Sequence, residues 1–261
     1  MSSRNANTKF RGVGTILPTV LLSGEVLEAP ALKEKYGAKA ESYLKLAEQL
    51  YEKWLKRGGW RQTKDGGMIS VVGYYGIDKD GNWTAGPEAR QDPNLAFSHP
   101  NNKANHVARW MLAMWDATGK AAYKEHAEKW FKVLKSRMTL KQDGTYTIWN
   151  YWQPAGPWDY KPDGKSTKHW VGVHPKGGYY EIDLNGIVDA YEHGLVFTKT
   201  DIDNLIATAK AEKRYWSALV AYSPEIQTKF EEGMKPDGWG GLAGAPWYLW
   251  LQNQLAAGGA K

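Results

Sequence analysis

Apolar residues recur at intervals of three and four positions in several separate stretches of this chain. In the stretch from Ala31 to Leu55 the recurring residues are Tyr43, Leu46, Ala47, Leu50, Tyr51 and Trp54. This spacing puts them on one face of an α-helix, and Gly58-Gly59 supplies a C-terminal stop. The chain is therefore expected to fold mainly from amphipathic helices.

The later helical stretches come in pairs. Residues from Lys103 to Thr118 are apolar on nearly all sides, which predicts a helix buried between layers, and Gly119 separates this helix from a second one over Ala121–Met138. A second pair is predicted over Ile182–Val196 and Asp201–Leu219, with Thr200 as the N-cap of its second member. A last short helix is predicted over Pro246–Leu255. The pattern is that of helical hairpins.

Long loops rich in aromatic residues and glycine connect these helices. The stretch Gly66–Trp83 predicts a β-hairpin around Lys79-Asp80-Gly81, and Gly144–Trp152 predicts an isolated strand. Gln153–Tyr180 has few periodic signals, and loops of that length inside a domain are usually functional or disordered. We see no linker, so we predict one all-α domain over residues 1–261, with long aromatic-rich loops and small β-hairpin elements.

The aromatic residues are mainly of the types that suit a solvent-exposed, amphipathic surface. The chain has 14 Trp and 15 Tyr but only 5 Phe, and Trp and Tyr combine an apolar face with a polar group. Such faces stack on sugar rings, although a single Trp more often fills a helical core. The net formal charge, 34 − 28 = +6, favours an acidic partner. Together these features suggest an anionic carbohydrate.

Several other classes of protein are excluded or disfavoured. The absence of Cys excludes a disulfide scaffold, a thiol nucleophile and a thiolate zinc site. The sequence has no GxxxxGK[ST] motif and no GxGxxG after a strand, so we expect no nucleotide cofactor. It has no HExxH and its six His are scattered, so we expect no metal, with His169 and His174 as a weak candidate pair. Basic residues alternate with Glu along helical faces, which disfavours nucleic acid, and no stretch is long and apolar enough for a membrane span.

One cluster of chemically active residues lies in the segment from His99 to Trp110. Asn102 can cap the helix, while Asn105, His106 and Arg109 are spaced so that they can point into one cleft. Burying three polar groups without partners costs several kcal/mol, so they need either structural partners or a ligand. Both interpretations remain open from the residues alone.

A second cluster lies in the segment from Lys168 to Asp183. It brings together two His, two Lys, two adjacent Tyr and two carboxylates, and its Gly177-Gly178 pair permits a tight entry into a helix. The tyrosines can equally pack the helix entry, and Glu181 and Asp183 can equally favour the helix dipole. The chemistry-bearing members are Lys168, His169, His174, Lys176, Tyr179, Tyr180, Glu181 and Asp183.

The segment NKANH on a buried helix, followed by a His/Lys-rich loop that ends in GGYY, resembles the helical toroid polysaccharide lyases that cleave alginate or glucuronan. The resemblance covers mainly residues 99–196 and implies an (α/α) toroid. In these enzymes an Asn-His pair and a later Tyr lie at the scissile uronate. At 261 residues the chain is shorter than a full toroid, which implies an incomplete one, and Lys168 or Lys176 stands where the family has an Arg before the Tyr.

This resemblance implies β-elimination on a uronic-acid polysaccharide, without a cofactor. Fixed donors must stabilise the charge that develops on the uronate carboxylate, and Tyr or His must transfer the proton. The expected catalytic residues are Asn105, His106, Tyr179, Tyr180, His169 and His174. The expected substrate-binding residues are Arg109, Lys168, Lys176, Trp110, Trp152, Trp158 and Trp170. The start, MSSRNANTKF, lacks the apolar run of a secretory signal, which leaves two alternatives, a cytoplasmic protein or one whose leader has been removed; the resemblance favours a secreted or periplasmic enzyme.

Two alternatives stay open. An inverting glycoside hydrolase would use two carboxylates as acid and base, with Asp92, Asp159, Glu181 and Asp183 as candidates. A carbohydrate-binding domain would use the Trp-rich loops for stacking alone and would need no Asn-His pair. Fold analogy favours carbohydrate chemistry without establishing it.

Overall fold

The structure is a computed structural model, and it describes residues 4–56, 58–72, 76–77, 83–84, 90–91, 97–174 and 178–233. These residues are mostly helical with a few short strands, which confirms the prediction of a mainly helical chain. In chain order the elements are α1 (Arg4–Glu28), α2 (Pro30–Lys56), β1 (Trp60–Gln62), β2 (Met68–Val72), β3 (Gly76–Ile77), β4 (Trp83–Thr84), β5 (Arg90–Gln91), β6 (Phe97–Ser98), α3 (Asn101–Thr118), α4 (Ala121–Ser136), β7 (Thr139–Leu140), β8 (Tyr146–Thr147), a 3-10 helix (Pro157–Asp159), α5 (Gly178–Glu192), α6 (Lys199–Ala211), a 3-10 helix (Ser217–Tyr222) and α7 (Pro224–Gly233).

The backbone contacts divide the chain into two compact units. Unit 1 consists of Met1–Arg137 and Asn150–Pro175, and unit 2 consists of Met138–Trp149 and Lys176–Lys261. The single domain expected from the sequence stays a prediction. Each unit has its own buried residues and is described by itself below.

Helix α3 forms the centre of unit 1. It packs against α1 and α4, and its residues Val107, Met111 and Met114 have no exposed surface. The helix ends where Gly119 adopts a φ of +67°, in the left-handed region, and donates its N–H to the Trp115 carbonyl. Glycine reaches this conformation without steric cost. Helix α4 begins two residues later, so α3 and α4 form the predicted hairpin with Gly119 as its hinge.

A small antiparallel sheet leads the chain into α3. Strand β2 lies between β1 and β6, with Trp60 opposite Ser70 and Val71 opposite Ser98. After β6, the His99 N–H donates to the Ser70 carbonyl at 2.9 Å, and α3 starts at Asn101. The sheet therefore fixes where the first turn of α3 begins.

The 150–174 segment folds back on itself within unit 1. Two antiparallel bridges pair Trp152 with Gly172 and Tyr160 with Thr167. The Tyr151 N–H donates to the Gly172 carbonyl at 2.8 Å, and the Tyr151 carbonyl accepts from the Asn101 N–H at 3.0 Å. The segment is thus attached by its backbone to the beginning of α3.

Unit 2 is organised around the β7–β8 hairpin and helices α5, α6 and α7. The Tyr146 hydroxyl donates to Asp201 at 2.8 Å and the Tyr146 N–H donates to the Thr208 hydroxyl at 2.7 Å, which attaches β8 to α6. Asp201 and Thr198 form a reciprocal capping box at the start of α6. Leu184 on α5 is fully buried.

The predicted helices over Ala31–Leu55, Lys103–Thr118 and Ala121–Met138 are confirmed within two residues at each end. Helix α1 was not predicted, because Pro18 interrupts its sequence pattern, yet the helix runs through Pro18 and packs on α2 and α3. A proline lacks an N–H and disfavours an isolated helix interior. Tertiary packing outweighs that preference here.

Several local predictions were wrong. The helix predicted over Ile182–Val196 is α5, which runs over Gly178–Glu192, four residues earlier at each end. Helix α6 ends at Ala211 rather than continuing to Leu219, because Lys213 adopts a φ of +51° and the Arg214 N–H donates to the Ala209 carbonyl. The N-caps are Thr198 and Pro100 rather than Thr200 and Asn102. The strand predicted over Gly144–Trp152 is not isolated, since β8 pairs with β7.

The β-hairpin predicted for Gly66–Trp83 is confirmed in part. Strands β3 and β4 pair antiparallel, with Ile77 opposite Trp83. The turn residues Lys79–Gly81 and the helix predicted over Pro246–Leu255 lie outside the described residues.

Candidate functional site

Three aromatic and imidazole side chains meet on the 150–174 segment of unit 1. The ring of Tyr151 lies edge-on to two histidines, with centroids 5.2 Å from His174 and 6.3 Å from His169. All three side chains are half-buried, so each keeps a surface that a ligand can reach. We refer to Tyr151, His169 and His174 as the Tyr-His-His group.

A buried carboxylate holds the segment that carries this group. Asp159 has no exposed surface and accepts from the Ser98 N–H at 2.6 Å, the Ser98 hydroxyl at 2.7 Å and the Ala155 N–H at 2.7 Å. The indoles of Trp152 and Trp158 donate to the Ser98 carbonyl and hydroxyl at 2.7 and 2.9 Å. Charge-assisted hydrogen bonds of this kind are the strong ones, so the base of the segment is rigid.

His169 is held as a neutral side chain. Burial lowers its pKa below the ordinary value of 6.5, and the positive charge of Lys103 lowers it further. Its Nδ1 accepts the Trp170 N–H at 2.6 Å, so the proton of the neutral ring is on Nε2. The ring also stacks on Trp152, with centroids 5.4 Å apart. His169 therefore presents an Nε2–H donor at neutral pH.

An exposed indole lies beside the Tyr-His-His group in sequence. Trp170 is 49% exposed, and Gly172, at a φ of +155°, lies directly against its ring. A Cβ at Gly172 would come within 2.8 Å of the indole. The missing side chain lets the Trp170 ring come close to the backbone at Gly172. Half of the Trp170 side chain remains exposed, and an indole combines an apolar face with a polar N–H.

Helix α3 carries the other cluster expected from the sequence. Asn105 has no exposed surface, and its Oδ1 accepts the Trp130 indole N–H at 2.8 Å. His106 is half-buried, and burial together with Arg109 lowers its pKa to about 4. Trp110 is 1% exposed and packs edge-on to Tyr51 and Trp54. Asn105 and Trp110 thus take structural roles in the core of unit 1.

Tyr179 and Tyr180 belong to unit 2, at the start of α5. Tyr180 is 1% exposed, and its hydroxyl donates to the Trp149 carbonyl at 3.0 Å. The ring packs edge-on to Trp149 at 5.6 Å and under the guanidinium of Arg214. These contacts give Tyr180 a structural role, whereas Tyr179 is 37% exposed.

The other residues expected to bind substrate are Trp152, Trp158, Lys168 and Lys176, and those that the structure describes differ in burial. Trp152 has no exposed surface and Trp158 is half-buried, so the first of these indoles serves the packing of the segment. Lys168 is half-buried, and its N–H donates to the Asp159 carbonyl at 2.8 Å. Lys176 lies outside the described residues.

The carboxylates expected for a hydrolase have protein partners. Asp159 accepts the donors of Ser98, and Asp183, 2% exposed, accepts the Trp149 indole N–H at 2.8 Å. Glu181 accepts the N–H and the hydroxyl of Ser217, and burial raises its pKa. Asp92 lies outside the described residues.

Sequence reasoning missed Tyr151 and Lys103. Both lie close in sequence to residues that were singled out. Tyr151 directly precedes Trp152, and Lys103 lies two positions before Asn105. What separates Lys103 from its neighbours is a contrast in burial along α3, where Lys103 is only half-buried while Asn105 is fully buried. A helix that is apolar nearly all round does not reveal this contrast by its pattern.

Among the described residues, no group of three or more His, Asp or Glu side chains is arranged to hold a metal ion. In the same part of the chain, no helix combines the length and apolar character that crossing a bilayer requires.

Comparison with known proteins gives one distant similarity. No protein-family model matches the chain, and no solved structure matches it. The chain is similar to carnosine synthase 1 of Mus musculus, with 27% identity over 161 residues, which is 56% of this chain and 19% of the mouse protein. The chain thus spans about a fifth of the length of that curated relative, and a similarity of this size does not assign it to a family.

Proposed function

We propose that this protein is a polysaccharide lyase that cleaves a uronic-acid polymer by β-elimination at the Tyr-His-His group. The observation that carries the proposal is that a neutral His169, with its proton on Nε2, lies beside Tyr151 and within the electrostatic reach of Lys103. A proton donor, proton acceptors and a cation are what elimination next to a carboxylate requires.

The carboxylate of the uronate needs fixed positive charge and hydrogen-bond donors. Removal of the proton at C5 places negative charge on the carboxylate, and stabilising that charge lowers the barrier. Lys103 supplies the cation and the His169 Nε2–H supplies a directed donor. Both belong to unit 1, and both are partly shielded from water, which strengthens their interaction with an anion.

The proton transfers are assigned to the other two members of the group. The imidazole of His174 takes the C5 proton, and the electron pair of that C–H bond forms the C4–C5 double bond. The C4–O bond breaks, and the hydroxyl of Tyr151 gives its proton to the leaving glycosidic oxygen. Positioned acids and bases contribute about 10²–10⁴-fold each.

The surroundings of the group support a polymeric substrate. The exposed face of Trp170 stacks on a sugar ring next to the scissile bond, and the +6 net charge of the chain attracts a polyanion. The finer architecture is part of the proposal. We propose an incomplete (α/α) toroid, of which the α3–α4 hairpin is one helical pair.

Ultraviolet absorbance during incubation with alginate, polymannuronate, polyguluronate, glucuronan, pectate and hyaluronan tests this function. Elimination leaves a conjugated double bond that absorbs, whereas hydrolysis and simple binding do not. A neutral glucan is the control polymer. We expect a rise on at least one polyuronate and its loss in Tyr151→Phe. A flat trace on every acidic polymer overturns the proposal.

A further inference from the structure

A polar cleft in unit 1 lies close along the chain to the Tyr-His-His group. It has a volume of about 180 Å³, which is room for about six water molecules and hence for one sugar-sized ligand. Its polar lining comes from the β1–β2 turn, the end of α4 and the 150–174 segment. The lining side chains that matter here are Thr63, Asp65, Lys132, Ser136, Arg137 and Gln153.

The wall formed by Arg137 is rigid. This side chain is 9% exposed, donates through Nη1 to Asn101 Oδ1 at 2.5 Å and through Nη2 to the Gln153 carbonyl at 3.3 Å, and lies over the Trp130 ring. A guanidinium fixed in this way keeps its positive charge in one place at the cleft. Fixed charge binds an anion with less ordering cost than a mobile side chain does.

Gly67 allows the β1–β2 turn to form the opposite wall. A Cβ at this position would meet Val133 Cγ2 at 2.4 Å and Thr63 Oγ1 at 2.8 Å. The turn can therefore approach α4 only because the residue is glycine. The walls present hydroxyls from Thr63 and Ser136 and a carboxylate from Asp65, which are groups that bind sugar hydroxyls.

Lys132 adds a second cation at the rim. It is 60% exposed and forms an i,i+4 ion pair with Glu128 at 2.7 Å. Exposed ion pairs of this kind are weak, so exchange of Glu128 for a ligand carboxylate costs little. Two cations and several hydroxyl-binding groups in a cleft of this volume suit one uronate residue.

A short stretch of chain joins the cleft to the Tyr-His-His group, so one polymer can reach both. Gln153 lies two residues from Tyr151 and lines the cleft. Two residues span at most about 7 Å, which corresponds to roughly one or two sugar units. Asn101 also joins the two places, since its N–H donates to the Tyr151 carbonyl and its Oδ1 accepts from Arg137.

We infer that the cleft at Arg137 is a second sugar subsite, which binds a uronate residue of the same polymer near the residue cleaved at Tyr151. This inference rests on the proposed function for the identity of the polymer. It goes beyond that function because the cleft binds substrate and performs no chemistry. Its consequence is a preference for long oligomers over short ones.

Titration calorimetry with trimeric and hexameric uronate oligosaccharides, of the mannuronate and the glucuronate series, tests the subsite. We expect Lys132→Ala and the cleft-filling Ser136→Phe to weaken hexamer binding about 5- to 10-fold, with little effect on the trimer. Ser136 is exposed, so the larger side chain is tolerated. Lys199→Ala is the matched control, because Lys199 forms a comparable i,i+4 pair with Asp203 and does not line the cleft.

The outcomes separate the subsite from the lyase activity. A selective loss of hexamer binding supports the subsite, even where no polymer yields an absorbing product and the lyase proposal fails. An equal loss for both oligomers, no change in either variant, or no binding of any oligomer to the wild-type protein overturns the subsite. If a polyuronate is cleaved but hexamer binding is unchanged in both variants, the lyase proposal is supported and the subsite is overturned.

Discussion

Asp159 accepts two hydrogen bonds from Ser98, one from its N–H at 2.6 Å and one from its hydroxyl at 2.7 Å. The two residues are 61 positions apart, so this contact attaches the 150–174 segment to strand β6. The carboxylate has no exposed surface and also accepts from the Ala155 N–H. An ionised group buried in this way is stable only while its donors stay in place.

Asp159→Ala is expected to lower the free energy of unfolding by about 3 kcal/mol, because it leaves the Ser98 and Ala155 donors buried without their acceptor. Urea unfolding followed by tryptophan fluorescence measures the loss. Asp163→Ala is the matched control, since Asp163 also accepts two backbone N–H groups, from Lys165 and Ser166, but at an exposed turn. Equal stability of the two variants would contradict the anchoring role.

Tyr151→Phe is expected to lower kcat on a polyuronate by roughly 10²–10⁴-fold, while polymer binding and the unfolding midpoint stay close to wild type. Tyr180→Phe is the matched comparison. Its hydroxyl donates to the buried Trp149 carbonyl, so its loss costs about 1 kcal/mol of stability and leaves kcat of the folded enzyme unchanged. The reverse result, with activity lost only in Tyr180→Phe, would move the proton transfer to unit 2.

The helices were predictable because each has a periodic apolar face that its neighbours bury. Helix α3 illustrates this. Its sequence is apolar on nearly all sides, which predicted a buried helix, and Met111 and Met114 on this helix are fully buried. Helix α1 was not predictable, because Pro18 disfavours a helix locally and only packing against α2 and α3 offsets that preference. Local propensity decides an element only where tertiary contacts do not outweigh it.

The sequence identified the segment that carries the candidate site, but it did not identify every residue in that site. His169 and His174 were expected to act, and they are half-buried beside Tyr151. Asn105 was expected to act in catalysis by stabilising the uronate carboxylate, but its Oδ1 accepts the indole N–H of Trp130, 25 positions away. Spacing along a helix identifies which side chains share a face, and it does not identify the distant group that satisfies them.

Trp170→Ala is expected to weaken binding of a uronate polymer about tenfold, a free-energy change near 1.4 kcal/mol, because the variant loses the exposed ring that a sugar stacks on. Calorimetry in low salt measures the effect. Tyr36→Ala is the control, since Tyr36 is 44% exposed, against 49% for Trp170, and lies on α2 away from the 150–174 segment. A comparable loss in both variants would indicate general surface adhesion rather than a stacking platform.

Buried histidines predict a loss of stability in mild acid. Burial and the charge of Lys103 lower the pKa of His99 to about 3, and burial, followed by the charge of Lys129, lowers the pKa of His126 to about 4 in spite of Glu125. Because both values lie below the ordinary 6.5, the unfolded chain binds protons that the folded chain does not. The stabilisation is complete above pH 6.5 and decreases as the pH falls towards 4, by up to about 1.4 kcal/mol per pH unit for the buried His99 and by less for the half-buried His126, whose charge solvent screens.

His99→Gln isolates one of these protons. Glutamine keeps an amide donor for the Ser70 hydroxyl, which lies 2.9 Å from His99 Nδ1, and it does not titrate. Urea unfolding at half-unit steps between pH 7 and 4 should give a slope shallower than that of wild type by about 1.4 kcal/mol per pH unit. Since the fold around Ser70 and β2 is retained, the two curves should diverge most at the acidic end. Parallel curves would mean that His99 binds its proton in the folded chain as readily as in the unfolded one, and that the acid sensitivity has another source.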